Sequence, residues 1–459
     1  MKDFGERLVA CGMSAAEAQR KVELFATCGV SLAALDANAG DADPLAFFVP
    51  GRIEVLGKHT DYAGGRSLLC AMERGFAILA RPRPDAVVRA VDVVRGEMRE
   101  LSLDSTIQPA DGDWSTYLST VVRRVARDFP CVQRGMDLVF ASDLPPASGM
   151  SSSSALVIAV FLALEAVNAL GADPLYRRAI PSRELLGEYL GAVENGRPFG
   201  LTPGGLGVGT LGGSQDQTAI LCCRAGVLSR YAFLPVRAEG DVPFPADRIF
   251  VLAYSGVAAE KTASARVRYN EASQAVVEIL ALWNETTSRG DASLGHAVMS
   301  RSDAPLEIRA MLRASQVKGF TPQRLIDRFE QFMTEAFDVI PAAADAFARG
   351  DLVAVGAAVA RSQHGAETLL GNQIAETIDL VRMACALGAD AASAFGAGFG
   401  GSVWALVESH RSSEFAMAWM RDYAAAHPAA AARAEMIVTM PGPGAMQLRS
   451  GRGPRKLPS

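Results

Sequence analysis

Long hydrophobic runs are missing from this sequence of 459 residues. The longest, Ala155 to Leu164, ends at Glu165 and falls well short of the roughly 20 residues that a membrane helix needs. The N-terminus carries charges where a secretory signal has its apolar stretch. These two features predict a cytoplasmic protein with no membrane partner.

Cysteine and one-sided charge are also scarce. The seven cysteines are dispersed and form no C-x2-C pair, which argues against zinc and redox motifs and for reduced, buried thiols. There are 45 Lys and Arg residues against 50 Asp and Glu, for a net charge of −5. Because no basic run dominates the chain, a small molecule is a better expected partner than nucleic acid. No G-x4-G-K-[ST] segment occurs, so a Walker-type ATPase is excluded by motif.

The remaining composition, 49% hydrophobic, supports two or three domains with their own cores. We expect a helical N-terminal extension over 1–45, a first domain over 46–240 and a second over 241–440. A Pro-, Gly- and Asp-rich stretch near 235–247 marks the boundary. The Gly/Pro-rich end, 441–459, is predicted to be disordered.

The apolar spacing predicts a mixed α/β first half and a helix-rich second half. Strands are expected at 47–49, 76–80, 87–94, 136–140, 249–254, 403–407 and 434–439. Helices are expected at 151–170, 262–287, 324–349, 351–366, 373–387 and 411–426.

The segment Pro50 to Gly65 is the first motif with chemistry. A short strand breaks at Gly57 into a turn with Lys58, His59 and Asp61, and Arg52 lies upstream. Such convergent donors and acceptors suit a hydroxyl-rich ligand. For any one of these residues alone an ordinary charged turn is favoured, but four ionisable groups within ten residues, bracketed by glycines, favour a site.

The second motif, Leu144 to Ala155, contains Gly149 and four successive serines that open a predicted helix. Free N–H groups at a helix N-terminus bind phosphate, and a serine can reach a phosphate-held Mg²⁺. Helix capping explains one serine and not four.

Two further glycine-rich segments follow. Gly396 to Gly401 fits G-x-G-x-x-G but precedes a strand, so a tight loop is favoured over a dinucleotide site. The segment Gly212 to Gln217 contains Asp216, a residue type that orients or deprotonates the acceptor hydroxyl in phosphoryl transfer, with Arg52 as a candidate cation.

In this order the motifs resemble the galactokinase family of the GHMP small-molecule kinases. Pro50 to Gly65 is similar to G-R-V-N-L-I-G-E-H-T-D-Y-x-x-G, Gly149 to Ser153 to G-L-S-S-S, and Gly396 to Gly401 to G-A-G-F-G-G. Weaker similarities are Trp114 to Tyr117 and Gly213 to Gln217. The resemblance spans roughly 46 to 440.

The resemblance implies a two-lobed α+β fold, with a ribosomal-S5-like α/β N-terminal domain, a ferredoxin-like C-terminal domain and the active site between them. It implies ATP and Mg²⁺ as cofactors. The catalytic residues would be Asp216 and Arg52, and the sugar would be bound by Lys58, His59, Asp61, Gly213 and Tyr269. ATP would be bound by Trp114, Tyr117, Gly149, Met150, Ser151, Ser152 and Ser153, and Mg²⁺ by Ser153 and Glu194.

Three places depart from the family. Lys58 replaces a Glu that accepts a hydrogen bond from the sugar, so a C6 carboxylate, as in a uronic acid, is one hypothesis. The alternative is that Lys58 reaches solvent or pairs with Glu54. Tyr269 lacks most of its family motif, and the glycine-rich 204–212 stretch is either a lid or a long loop.

The expected function is ATP-dependent phosphorylation of a monosaccharide, at the anomeric hydroxyl, with galactose or a galactose-like or uronic sugar as substrate. A catalytically silent sugar sensor on the same fold is the alternative from another class, and the presence of Arg52 and Asp216 argues against it. A kinase for another polyol, such as a heptose, is the alternative among enzymes. The sequence leaves the oligomeric state open.

Overall fold

The computed structural model describes residues 2–35, 44–108, 113–259 and 263–448. Its strands are β1 (Leu45–Leu56), β2 (Arg66–Pro82), β3 (Val87–Asp92), β4 (Glu97–Ser102), β5 (Met136–Ser142), β6 (Val227–Ala232), β7 (Arg237–Pro243), β8 (Arg248–Tyr254), β9 (Ala391–Phe395), β10 (Ser402–Glu408), β11 (Glu435–Thr439) and β12 (Met446–Leu448). The helices of the first half are α1 (Lys2–Ala10), α2 (Ala15–Leu35), α3 (Ser115–Asp128), α4 (Ser152–Val167), α5 (Pro174–Ala179), α6 (Arg183–Asn195) and α7 (Gln215–Cys222). Those of the second half are α8 (Ala263–Thr287), α9 (Leu294–Met299), α10 (Ala304–Arg313), α11 (Pro322–Met333), α12 (Ile340–Arg349), α13 (Leu352–Gly365), α14 (Ala375–Ala386), α15 (Ser412–Ala426) and α16 (Pro428–Ala431).

The first sheet has the strand order β12-β1-β2-β5-β3-β4, with β6 and β7 attached to β2. β3 and β5 pair in parallel, and the other pairs are antiparallel. The sheet's longest strands, β1 and β2, are buried along nearly their whole length. Helix α4 packs against these strands, and its apolar run Ala155 to Leu164 is buried all round. The longest hydrophobic run of the sequence is therefore a core helix.

The second sheet is antiparallel, with the order β11-β8-β10-β9. Trp419 and Tyr423 of α15 contribute to the core on one side of it, while Trp404 of β10 belongs to the core that it shares with the first sheet. Helices α8 to α11 form a further apolar cluster around Trp283 and Phe329. The two sheets with their helices match the predicted two-lobed α+β arrangement.

The N-terminal helices cover the back of the first sheet. Phe25 of α2 belongs to one apolar cluster with Phe48, Leu79 and Val139 of the sheet. The fully buried Lys21 bonds to Glu17, at 3.1 Å, and to Asp143, which tethers the extension to the sheet. Residues 36–43 of the predicted extension lie outside the described residues.

Two predicted boundaries are wrong. The boundary at 240/241 falls inside β7, and the chain leaves the first sheet only between Pro243 and Arg248. The predicted disordered tail begins too early, because β12 pairs with β1 and Gly442 bridges Ala71. The Pro and Gly residues near 235–247 delimit a hairpin rather than a linker, which local composition alone does not distinguish. Residues 449–459 lie outside the described part.

Across the described ranges, no helix combines the length and the apolar character that crossing a membrane requires.

Candidate functional site

An ion pair between distant parts of the chain lies in the wall that two neighbouring cavities share. Arg52 lies on β1 and Asp216 in the first turn of α7, with 2.8 Å between Nε and Oδ1. The Arg52 Nη1 also donates to the carbonyl oxygen of Gly149, at 2.6 Å. The Arg52 side chain is 4% exposed and that of Asp216 is 32% exposed. The guanidinium is thus fixed while the carboxylate stays accessible.

The two cavities differ in size and lining. The larger has a volume of about 350 Å³ and the smaller of about 90 Å³. Arg52, Asp216 and Ala397 line both. A group bound in one cavity would therefore meet a group bound in the other at the Arg52–Asp216 pair.

Serines at the start of α4 line the larger cavity. Gly149, Ser151, Ser152 and Ser153, four of the residues expected to bind ATP, all contribute to its wall. Ser151 has a φ of 61°, makes no side-chain cap, and its buried Oγ has no hydrogen-bond partner among the described residues. The N-terminal turn of this 16-residue helix therefore keeps donors free for an anion.

Met150 differs from this prediction. Its side chain is 1% exposed and belongs to the apolar core, and only its carbonyl oxygen reaches the site, by accepting from the Arg52 N–H at 3.3 Å. The third motif approaches the same loop: a Cβ on Gly396 would lie 2.9 Å from the Gly149 carbonyl oxygen. Glycine at 396 permits this close approach.

Aromatic side chains also line the larger cavity. Trp114, Tyr117, Phe76 and Phe140 contribute to it. The Trp114 ring lies edge-on to Phe140, with centroids 5.5 Å apart, and its Nε1 donates to Glu97 at 2.8 Å. The cavity thus combines a helix N-terminus rich in serine with aromatic side chains, which suits a phosphorylated compound with a flat base.

Acceptor groups dominate the smaller cavity. Asp61 Oδ2 accepts from the backbone N–H of Gln215 at 3.0 Å, and burial raises the pKa of its carboxyl. A Cβ on Gly213 would overlap Asp61 Oδ2 and lie 2.9 Å from the Tyr62 nitrogen. Gly213 therefore lets the loop before α7 close onto the turn that carries Asp61.

His59 occupies a left-handed backbone conformation, with φ of 57°. Its Nδ1 bonds to the Tyr62 hydroxyl at 2.8 Å, and the buried Arg328 donates to its carbonyl oxygen. Burial, followed by the charge of Arg328, lowers the His59 pKa to about 3. The imidazole is neutral at physiological pH, and it lines the smaller cavity.

Lys58 is directed away from the smaller cavity, contrary to both interpretations of the sequence. It is 1% exposed, and its Nζ donates to the hydroxyls of Ser362 and Ser393, each at 2.8 Å. It is not among the described residues that line the cavity. The sequence places a cation next to His59, but the fold turns it into the opposite lobe.

Tyr269 lines the smaller cavity despite its weak motif, and its ring centroid lies 5.0 Å from that of His59. The neighbouring Asn270 accepts from the Leu211 N–H at 3.0 Å. Arg127 donates to the carbonyl oxygen of Gly204, also at 3.0 Å. The glycine-rich 204–212 stretch is therefore hydrogen-bonded near both of its ends, to α3 through Arg127 and to α8 through Asn270.

Ser154 rather than Ser153 contacts Glu194. The Ser154 hydroxyl donates to Glu194 Oε2 at 2.8 Å, and Gln217 Nε2 donates to the same oxygen at 2.6 Å. The buried Gln217 Oε1 has no hydrogen-bond partner in the described structure. The described residues contain no group of three or more His, Cys, Asp or Glu that could hold a metal. One carboxylate with hydroxyl and amide oxygens fits Mg²⁺ that shares ligands with phosphates.

Family models match three parts of the chain. The galactokinase galactose-binding signature matches residues 36–82, the GHMP kinase N-terminal domain 116–193 and the GHMP kinase C-terminal domain 343–425. A galactokinase from Chloroflexus aggregans is 29% identical over 82% of this chain and 87% of its own length. One from Actinobacillus pleuropneumoniae is 37% identical over 25% of this chain and 29% of its own.

The chain belongs to the galactokinase family of the GHMP kinases.

Solved structures agree on the two-lobed GHMP fold of this family member. Lactococcus lactis galactokinase, crystallised with galactose, superimposes with a TM-score of 0.73 at 24% identity, over 91% of this chain and 98% of its own. A mevalonate kinase gives a TM-score of 0.52 at 14% identity, over 86% and 98%. At these identities the likeness establishes the fold.

Several residues of this galactokinase-family site were not predicted from the sequence: Glu54, Ser154, Asn195, Gln215, Gln217 and Arg328. Glu54 had a usable signal, because it lies two residues after Arg52 and the alternation of a strand puts both on one face. Gln215 and Gln217 flank Asp216 in the same helical turn. Arg328 gives no such signal, since α11 reaches the turn at His59 only through tertiary packing.

Proposed function

We propose that this chain is an ATP-dependent kinase that phosphorylates a neutral monosaccharide at the anomeric hydroxyl, with galactose as the first candidate. The observation that carries the proposal is the Arg52–Asp216 pair, which lines both the cavity with the serine-rich start of α4 and the cavity with His59 and Asp61. The galactokinase signature over 36–82 supports the choice of sugar. The uronic acid hypothesis loses its basis, because Lys58 does not line the sugar cavity.

The nucleotide would occupy the larger cavity. Its base would lie near Trp114 and Tyr117, and its phosphates at Gly149 and the serines that begin α4. Arg52 would neutralise charge on the transferring group, with its orientation fixed by the Gly149 carbonyl. Because the guanidinium is held in place beforehand, little reorganisation accompanies the reaction.

The sugar would occupy the smaller cavity, with His59, Asp61 and Tyr269 in contact with it. Asp216 would orient the attacking hydroxyl and accept its proton as the oxygen–phosphorus bond forms and the bond to the leaving nucleoside diphosphate breaks. Neutral His59 can donate or accept one hydrogen bond, which suits a hydroxyl.

Mg²⁺ would be held by Glu194 with hydroxyls of the serines that begin α4, of which Ser154 donates to Glu194 and Ser153 lines the larger cavity. When bound, the ion neutralises phosphate charge. Gln217 orients the Glu194 carboxylate through the hydrogen bond of its Nε2.

The test is steady-state phosphorylation of galactose by wild type and Asp216→Asn. We expect kcat to fall by about 10²- to 10⁴-fold, the usual contribution of a general base, while nucleotide binding by calorimetry is unchanged. Asp338→Asn, on an aspartate with a 63% exposed side chain, is the matched control and should retain wild-type activity. A wild type that binds sugar and nucleotide without turnover would contradict the proposal and indicate a sensor.

A further inference from the structure

Besides Asp216, a carboxylate on β1 lines the smaller cavity, and one of its oxygens lacks a hydrogen-bond donor among the described residues. Glu54 is 4% exposed and lines this cavity two residues after Arg52. Its Oε2 accepts from Gln215 Nε2 at 2.6 Å, whereas its Oε1 has no hydrogen-bond partner in the part of the chain that the structure describes. A buried carboxylate oxygen without a donor is costly, so a donor from a ligand would stabilise it.

The surroundings define which ligand group fits. The carboxylate residues of the cavity wall are Glu54, Asp61, Glu194 and Asp216, and its other ionisable residues are the cation Arg52, a neutral His59 and the phenol of Tyr269. Arg52 is already paired with Asp216, and Lys58 donates to two serines outside the cavity. A ligand carboxylate near Glu54 would therefore face like charge, whereas a hydroxyl would supply the missing donor.

We propose that Glu54 is a specificity-determining residue of the sugar pocket, whose Oε1 accepts a hydrogen bond from one hydroxyl of a neutral sugar and rejects a carboxylate there. The inference rests on the proposed function. It adds a residue that discriminates among sugars, in contrast to Asp216, which acts on the reacting hydroxyl.

The hydrogen bonds around Gln215 make the glutamine variant informative. Ser67 donates to Gln215 Oε1 at 2.6 Å, which directs the Gln215 Nε2 toward Glu54. In Glu54→Gln the amide oxygen must therefore face Gln215, and the amide nitrogen takes the place of Oε1. The substitution changes the free acceptor into a donor at nearly constant volume.

The experiment measures kcat/KM for galactose, the monodeoxy and monodeoxyfluoro galactoses and galacturonate, with wild type and Glu54→Gln. For wild type, we expect one hydroxyl position where both the deoxy and the fluoro sugar lose about 10- to 100-fold, the effect of a hydrogen bond to a charged group. In Glu54→Gln we expect galactose to lose a similar factor, mainly in KM, and the penalty at that one position to disappear. If that position is C6, where galacturonate carries its carboxylate, the galacturonate-to-galactose ratio also rises. Glu73→Gln, on a buried glutamate of β2 that does not line the cavity, is the control and should keep the wild-type order of sugars.

Equal loss for every sugar in Glu54→Gln, or an unchanged pattern, would overturn the assignment while leaving the proposed function intact. A wild type that phosphorylates no sugar would overturn both. If Glu54→Gln does not fold, Glu54→Asp is the second variant. Its side chain is shorter by one methylene, so the acceptor lies farther from the sugar. The deoxy sugar of the same position should then lose less kcat/KM, relative to galactose, than it does with wild type.

Discussion

Burial shifts the pKa values of two residues of the smaller cavity in opposite directions. It lowers the pKa of His59 to about 3 and raises that of Glu54 to about 7, in both cases because the charged form loses hydration. Arg52 and Lys58 oppose the shift at Glu54, and Glu335 adds to it. Both shifts favour the uncharged side chain before a ligand binds, and a hydroxyl that donates to Glu54 would favour its carboxylate form.

The raised pKa of Glu54 makes stability depend on pH. The folded protein binds this proton more tightly than the unfolded chain, so the stabilisation is complete below about pH 4.5 and is lost as pH rises through about 7. Glu54→Gln cannot ionise, so its free energy of unfolding relative to wild type should increase from pH 5 to pH 8, by the order of 1–3 kcal/mol at about 1.4 kcal/mol per pKa unit. Urea unfolding at several pH values measures this difference.

The exposed Glu23 on α2 provides the control for this measurement. Glu23→Gln should change stability by the same small amount at pH 5 and pH 8. A Glu54→Gln difference that does not vary with pH would contradict the assigned protonation.

At the scale of elements, the site depends on how closely helix α7 and its preceding loop approach the turn after β1. Gly213 is in contact with Asp61 and the Tyr62 backbone, and Asn195 of α6 donates to the Gly213 carbonyl at 3.0 Å. A displacement of this loop would move Asp216 and Gln215 together, since both lie in the first turn of α7.

We predict that Gly213→Ala lowers kcat/KM by at least about 100-fold, because a misplacement near 1 Å costs that much in a positioned site. Steady-state kinetics with galactose checks this. Gly365→Ala is the matched control: a Cβ there meets nothing within 4 Å, so activity should be retained and stability unchanged or raised by about 0.5–1 kcal/mol. Normal activity in Gly213→Ala would show that the close approach is dispensable.

At the scale of the whole molecule, a buried polar network joins the first sheet to the second lobe. Glu335 Oε1 accepts from the Gly57 N–H at 2.7 Å and from Ser362 at 3.0 Å. Lys58 completes the network through Ser362 of α13 and Ser393 of β9. The turn that carries His59 and Asp61 is thereby fixed relative to the lobe that faces it.

Lys58→Met should lower the free energy of unfolding by about 3–5 kcal/mol, the cost of removing one partner from a buried ionic network. The galacturonate-to-galactose ratio should stay at the wild-type value, because the side chain does not reach the cavity. Lys318→Met, at an exposed lysine, should leave stability within about 0.5 kcal/mol. A changed galacturonate-to-galactose ratio in Lys58→Met would contradict the position of this lysine outside the smaller cavity.

Apolar spacing and short motifs in the sequence predicted many of the secondary-structure elements and the candidate site residues. The spacing of apolar residues located α4 and the strands at 76–80 and 249–254, because the residues that an element buries recur at a fixed interval in the sequence. Arg52 and the serine loop lie in two of the three ordered motifs that carry the family resemblance, whereas Asp216 lies in a weaker one. The β6–β7 hairpin and β12 were not predictable, since their pairing partners on β2 and β1 lie far away in the chain.

Only the tertiary structure decided where the neighbouring charged side chains point. The sequence places Glu54 and Lys58 four residues apart, with either one able to meet the sugar. The turn at Gly57 directs Lys58 to Ser362 and Ser393, more than 300 positions later in the chain, and leaves Glu54 at the cavity. The direction of a buried polar side chain depends on its hydrogen-bond partners. Here those partners are distant in the sequence, and only the packing of the two lobes brings them close.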